Sequence, residues 1–260
     1  MNIAIVAVAV VAVAGMPAFS ASHRIHTSID TNTSFGDNVI THMADGGVWK
    51  TTITVVNLST TNAAAYTLNF YAEDGAPQAF TFKGIGSASF LTGTLNPSGS
   101  VVIETRGFTT DPTTHVGWAQ FDFTGTSDNI SGYAVFTHQS GQEAVVPFSS
   151  DIESQQVLAY DNTGGLGTGV ALVNSNFLST LTITAIFCDE NGKTIGTDVF
   201  TMNSMTHQSF ILTTKWPVTA NRRGTVYFKT GTDIGLAVLG LRFNPQGAFT
   251  SVHSLETFDQ

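Results

Sequence analysis

Charge is scarce in this chain of 260 residues: Asp, Glu, Lys and Arg together make up 11% of it. That is poor material for solvent-exposed helices laced with ion pairs. Basic side chains number 10 against 19 acidic ones, a net charge of −9, so nucleic acid and anionic membrane surfaces are on average repelled. Nucleic-acid binding is set aside. Cysteine is all but missing; Cys188 stands alone, which excludes a disulfide within the chain and a multi-thiolate metal site. Long helical patterns are absent too, since no segment after residue 20 holds a 3.6-residue apolar stripe for three turns. The longest apolar run, Ile3 to Ala14, falls short of the roughly 20 residues that span a bilayer. A Gly-x-Ser-x-Gly nucleophile elbow does not occur, which removes the best sequence signal for a serine hydrolase.

What is present is apolar and β-forming. Hydrophobic residues reach 42%, and much of the polar remainder is Thr, Ser, Asn and Gly. The Ile3–Ala14 run is followed by Gly15, Met16, Pro17 and the small-residue site Ala18-Phe19-Ser20, the pattern of a signal peptide cleaved after Ser20. The mature chain is then expected to be exported, secreted or at the cell surface, with no membrane span.

The chain repeats itself. Val39-Ile40 and Gly46-Gly47 match Val157-Leu158 and Gly164-Gly165; Val56-Asn57, Phe70, Glu73 and Gly75 match Val173-Asn174, Phe187, Glu190 and Gly192. Later, Gly117 to Phe121 faces Gly224 to Phe228, and Gly132 to Phe136 faces Gly235 to Leu239. Within each copy the apolar period is two. In Val101 to Thr105, Val101, Ile103 and Thr105 share a face opposite Glu104. From Trp118 to Phe123, Ala119, Phe121 and Phe123 share one face while Trp118, Gln120 and Asp122 share the other, as in a strand buried on one side. Glu73-Asp74-Gly75 and Glu190-Asn191-Gly192 read as type I′ hairpin turns, and Asn96-Pro97-Ser98-Gly99 as a further turn.

Strands of this length and spacing predict an all-β chain: two tandem antiparallel β-sandwich domains of immunoglobulin-like topology after a signal peptide. A jelly roll or small barrel has the same signature. The expected boundaries are a signal peptide at 1–20, an extended segment at 21–38, the first sandwich at 39–148, a polar linker at 149–156 and the second sandwich at 157–260.

The run Asp45 to Ile53, with Val56-Asn57, Phe70-Tyr71 to Gly75, Gly117-Trp118-Ala119, Ser131 to Phe136 and Glu143 to Pro147, resembles uncharacterised exported bacterial proteins with repeated immunoglobulin-like β-sandwich domains. The second copy lacks counterparts of Trp49, Trp118 and the Glu-Ala-Val-Val-Pro ending. The resemblance implies export and a β-sandwich, and brings no activity with it.

Each chemical motif has a plainer explanation. Gly165 to Gly169 superficially suggests a phosphate loop, but Val170 to Val173 reads as a strand where a helix N-terminus is needed. His23 and His26 form a His-x-x-His pair with no second pair at ligand spacing. The acidic pairs Glu73-Asp74 and Asp189-Glu190 fall at hairpin tips, where turn chemistry accounts for them without glycoside hydrolysis or calcium. No catalytic, cofactor or metal residues are therefore assigned, and the chain is read as a non-enzyme. Flat aromatic rings on a sheet face can carry sugars, and Trp49, Trp118 and Tyr133, with Tyr66 and Tyr71, are the candidates; the same residue types fill sandwich cores.

The expectation is an exported structural or adhesive module of the cell surface or matrix. It would assemble with itself or other surface proteins through strand pairing, with residues 24–38 available to add to a neighbour's sheet. The alternative is a carbohydrate-binding module that takes polysaccharide on its aromatics.

Overall fold

The computed structural model describes residues 38–123, 129–149, 154–231 and 236–256. The expected signal peptide, nearly all of the extended segment, His23, His26 and the centre of the linker lie outside these residues.

Alternation builds the strands of the first half. In β2 (Trp49–Asn57) Thr51, Ile53, Val55 and Asn57 turn inward while Thr52, Thr54 and Val56 turn out. In β3 (Ala64–Ala72) Ala64, Tyr66, Leu68 and Phe70 do the same. With β1 (Val39–Asp45), β6 (Phe90–Leu95), β7 (Ser100–Glu104), β8 (His115–Phe123), β9 (Ile130–His138) and β10 (Glu143–Ser149) they form one eight-stranded sheet in the order β6-β3-β8-β1-β10-β9-β2-β7. All its pairings are antiparallel. A register shift between Ile40 and Met43 in β1 marks the bulged strand that pairs with both β8 and β10, and such a bulge bends a sheet. The inward side chains, among them Ile40, Ile53, Leu68, Phe70, Phe121 and Phe136, form one core.

The second half contains β11 (Gln155–Asp161), β12 (Gly167–Val173), β13 (Leu181–Asp189), β14 (Thr194–Met202), β15 (His207–Ile211), β16 (Arg223–Thr230), β17 (Ala237–Phe243), β18 (Phe249–His253) and the short β19 (Leu255–Glu256). Two sheets face each other, β14-β13-β16-β11-β19 and β15-β12-β17-β18, over a core that includes Leu158, Leu172, Ile183, Phe187 and Phe228. Strand for strand, β14-β13-β16-β11 has the order of β6-β3-β8-β1, and β15-β12-β17-β18 that of β7-β2-β9-β10. The architecture is all-β and sandwich-like in both halves. No described helix is long and apolar enough to cross a membrane.

A buried asparagine organises the same end of each half. Asn57 Nδ2 donates to the carbonyls of Asn62, Leu95 and Asn96, and Asn174 Nδ2 donates to those of Ser179, Met202 and Asn203. Each amide satisfies loop carbonyls that would otherwise be buried without partners.

The halves differ in how they close the open side between their edge strands. In the first, a ribbon of β4 (Phe80–Phe82) and β5 (Gly86–Ala88) runs from Phe70 of β3 to Glu104 of β7 by backbone bonds. It sets Phe80 and Phe82 against Phe70, with ring centroids 5.7 and 5.1 Å apart. In the second, a one-turn helix, α1 (Leu212–Lys215), and a 3-10 turn, Pro217–Thr219, follow β15. They hold Trp216 against Phe187, Phe200, Phe210 and Phe228.

Two local expectations are corrected. The turns at Gly75 and Gly192 are not type I′, because only the glycine has positive φ, 86° and 75°. Gly75 N–H donates to Ala72 O and Ala72 N–H to Ala76 O, with the same pair of bonds around Gly192. This is the three-residue hairpin loop that ends in a left-handed glycine. The segment from Trp118 is not buried on one side only: Trp118, Ala119, Gln120 and Phe121 are all buried, because the second half covers the face that alternation left to solvent.

That contact is largely apolar. Val39, Tyr71 and Trp118 of the first half pack with Val173, Met205 and Ala237 of the second. Ala171, Leu239 and Phe249 join the first half's own core. The sheet β15-β12-β17-β18 is thus covered on both faces, and β12 is buried at every position but its first.

Candidate functional site

The aromatic residues proposed for ligand contact do not share one surface. Trp118 has no exposed area; it stacks on Tyr71 with centroids 4.8 Å apart and lies in the junction, so its ring offers no face to a ligand. Tyr133, on β9, is 42% exposed and belongs to no aromatic pair among those described. Tyr66 is buried and stacked on Phe121. Trp49, half-buried at the start of β2, packs against Phe136, Phe249 and His138.

Two of these meet a cavity: Tyr66 borders a groove of about 350 Å³ with Thr67, Gly93 and Asp122, and Trp49 borders a second. A crevice of about 280 Å³ opens where the two halves meet, walled by Trp49, Phe136 and His42 from the first half and by Phe210, Ile211 and Phe243 from the second. Its surface is largely apolar, with the His42 ring and Ser209 as its polar elements. Few polar groups on aromatic walls is the usual make-up of a small-molecule site.

His42 is held from across the junction. Its Nδ1 lies 3.3 Å from Nε2 of His207 on β15, and the two rings stand 5.4 Å apart. On the far side of His207, Nδ1 is 3.7 Å from Oε1 of Glu73 in the hairpin that follows β3. The His207 side chain is fully buried, and its Nδ1 has no hydrogen-bond partner. Burial, helped by the neighbouring His207, lowers the pKa of His42 to about 3. The His207 ring holds the Glu73 carboxyl below its ordinary value against the opposing effect of burial. Glu73, His207 and His42 thus form a chain that crosses from first half to second and back.

The order of this chain is not that of a hydrolase triad, in which the imidazole sits between carboxylate and hydroxyl; here Glu73 contacts both His207 and Ser209. Among the described residues no group of three His, Cys, Asp or Glu side chains is placed to hold a metal ion. Gly165, with φ of 81°, opens the strand β12 and no helix. Cys188 is buried, with Sγ 3.9 Å from Thr194 Oγ1. Asp74 and Asp189 accept backbone N–H bonds within their own turns. The sequence reading did not select His42 or His207. They are 165 positions apart, so no spacing rule joins them, and only the packing of the halves does.

No family model, curated protein or solved structure matches the chain.

Proposed function

We propose that this protein is an exported, non-enzymatic structural or adhesive module of the cell surface or extracellular matrix, built from two immunoglobulin-like sandwiches that arose by duplication. The shared strand order, the repeated buried asparagine and the matched hairpins support the duplication; the signal-peptide pattern and the resemblance to exported bacterial proteins support the location. The observation that carries assembly is β14. It is a nine-residue edge strand with one ionisable side chain, Asp198, and that carboxylate is bound to Trp216 Nε1 at 2.8 Å. Val199 on it is 60% exposed. Edge strands are normally protected by lysine, proline or shortness, and a long one with little charge is a template for a neighbour's strand.

Light scattering on the mature chain from Ala21 tests this reading. Self-assembly that Val199→Lys abolishes, with the circular dichroism spectrum unchanged, supports it. A monomer at every concentration, or assembly that the variant leaves intact, refutes pairing at β14. Deleting 21–38 then asks whether that segment supplies the added strand.

A second reading rests on the crevice, whose half-buried Trp49 gives a polysaccharide an aromatic contact. Glycan binding that is lost in Trp49→Ala and kept in Tyr133→Ala would place the ligand there.

A further inference from the structure

We propose that the junction between the two halves is a proton-operated latch, made by the Glu73–His207–His42 chain, that closes at neutral pH and opens in mild acid before either half unfolds.

The geometry sets the direction. The 3.3 Å contact between His42 Nδ1 and His207 Nε2 needs one nitrogen to donate and the other to accept, so it forms only while at least one ring keeps a lone pair there. If His207 Nε2 donates, His42 must stay neutral at Nδ1. The remaining His207 nitrogen then faces the Glu73 carboxylate, 3.7 Å away. A proton added to His42 at Nδ1 has no such acceptor: it sets N–H against N–H in an apolar junction.

Among the described residues, the charged group nearest this pair is Glu73, and it sits against His207 rather than His42. From β15 comes His207, and from the hairpin after β3 comes Glu73, on the far side of His207. From β9 comes Phe136, edge-on at 5.5 Å. Trp49 of β2 shares the crevice, with His138 of β9 beyond it, 4.9 Å from the Trp49 ring. β12 and β17 contribute Ala171, Leu241 and Phe243.

The sign follows from linkage. An exposed imidazole takes up its proton near pH 6.5, whereas His42 in the closed junction does so only near 3. As pH falls below 6.5 the open state therefore gains a proton that the closed state refuses, and closure weakens progressively. At pH 4.5 the opening equilibrium shifts by roughly 100-fold relative to pH 7.5.

Hydrogen exchange read by mass spectrometry on the mature chain, corrected for the intrinsic pH dependence of exchange, is the test. Between pH 7.5 and 4.5, protection is expected to fall by 10-fold or more at the His207 amide, whose N–H donates across the junction to the Glu73 carbonyl, while β13 and β16, within the second half's own core, keep theirs. His42→Gln retains an amide oxygen as acceptor without a titrating ring, and is expected to flatten the response; His42→Phe does so without any polar atom if the glutamine packs badly. Equal loss of protection in β13 and β16 would mean ordinary acid unfolding and would overturn the latch. An unchanged pH response in a folded His42 variant would overturn the role of this histidine.

Discussion

Asn57 and Asn174 show what one side chain does at the end of a strand. Each is buried, at 1% and 0% exposure, and donates to three carbonyls. Alanine at either position strands acceptors in a dry place, where a lost partner costs more than an average hydrogen bond contributes. Asn57→Ala and Asn174→Ala are expected to destabilise by about 1–3 kcal/mol each, measured as a lower urea midpoint at unchanged slope. Asn→Asp should be worse above pH 5, because a carboxylate offers no donor and faces oxygen atoms. Met205 is a different case. It is buried at the junction with a φ of 59°, where the related turn in the first half has Ser98 at 56°. A left-handed non-glycine residue costs about 1–2 kcal/mol, and the packing of Met205 beside Trp118 offsets it. The sequence made the Val-Asn match visible but not its purpose, because an asparagine ending a strand also reads as an ordinary turn residue. The histidine pair was invisible for a stronger reason: each ring is unremarkable in its own strand.

At the scale of elements, the open side of each sandwich is closed by whatever the local insertion provides. Trp216 is the larger plug, touching four phenylalanine rings, and its Nε1 donates to Asp198. Trp216→Ala is expected to cost about 3–5 kcal/mol, seen as a lower melting temperature, and to leave the Asp198 carboxylate without that donor at the β14 edge. Legibility here followed length. Strands of seven to nine residues carry enough alternation to be found, and their hairpins announce themselves by glycine. The β4–β5 ribbon, with three residues a strand, and the four-residue α1 are too short to hold a period. The turn type was misread because Asp-Gly and Asn-Gly fit both a two-residue and a three-residue loop; the residue before them, Glu73 or Glu190, completes the longer one.

Across the whole molecule, residues 34–260 form one compact unit, and the junction buries large apolar side chains that each contribute roughly 1.5–3 kcal/mol. Calorimetry at pH 7.5 is therefore expected to give one transition with matching calorimetric and van't Hoff enthalpies; two resolved transitions would show that the halves are energetically independent. The repeated strand order was foreshadowed by the paired sequence matches, with one correction of register: Val55 pairs with Gly132 and its counterpart Leu172 with Val238, so Gly132 corresponds to Val238 and not to Gly235. The mutual burial was not, because an outward Trp118 on an alternating strand looks the same whether water or a second sheet lies beyond it. Only β12, with Val170-Ala171-Leu172-Val173 apolar without a break, hinted at a strand covered on both faces.

A wall shared by two rooms has a history as well as a strength. During synthesis, the surface carrying Val39, Tyr71 and Trp118 is finished before its cover, from Gly167 to Phe249, has been made. Until the last strands arrive, this chain presents a greasy, half-built face to every other chain around it, and the period of greatest risk of clumping falls at birth.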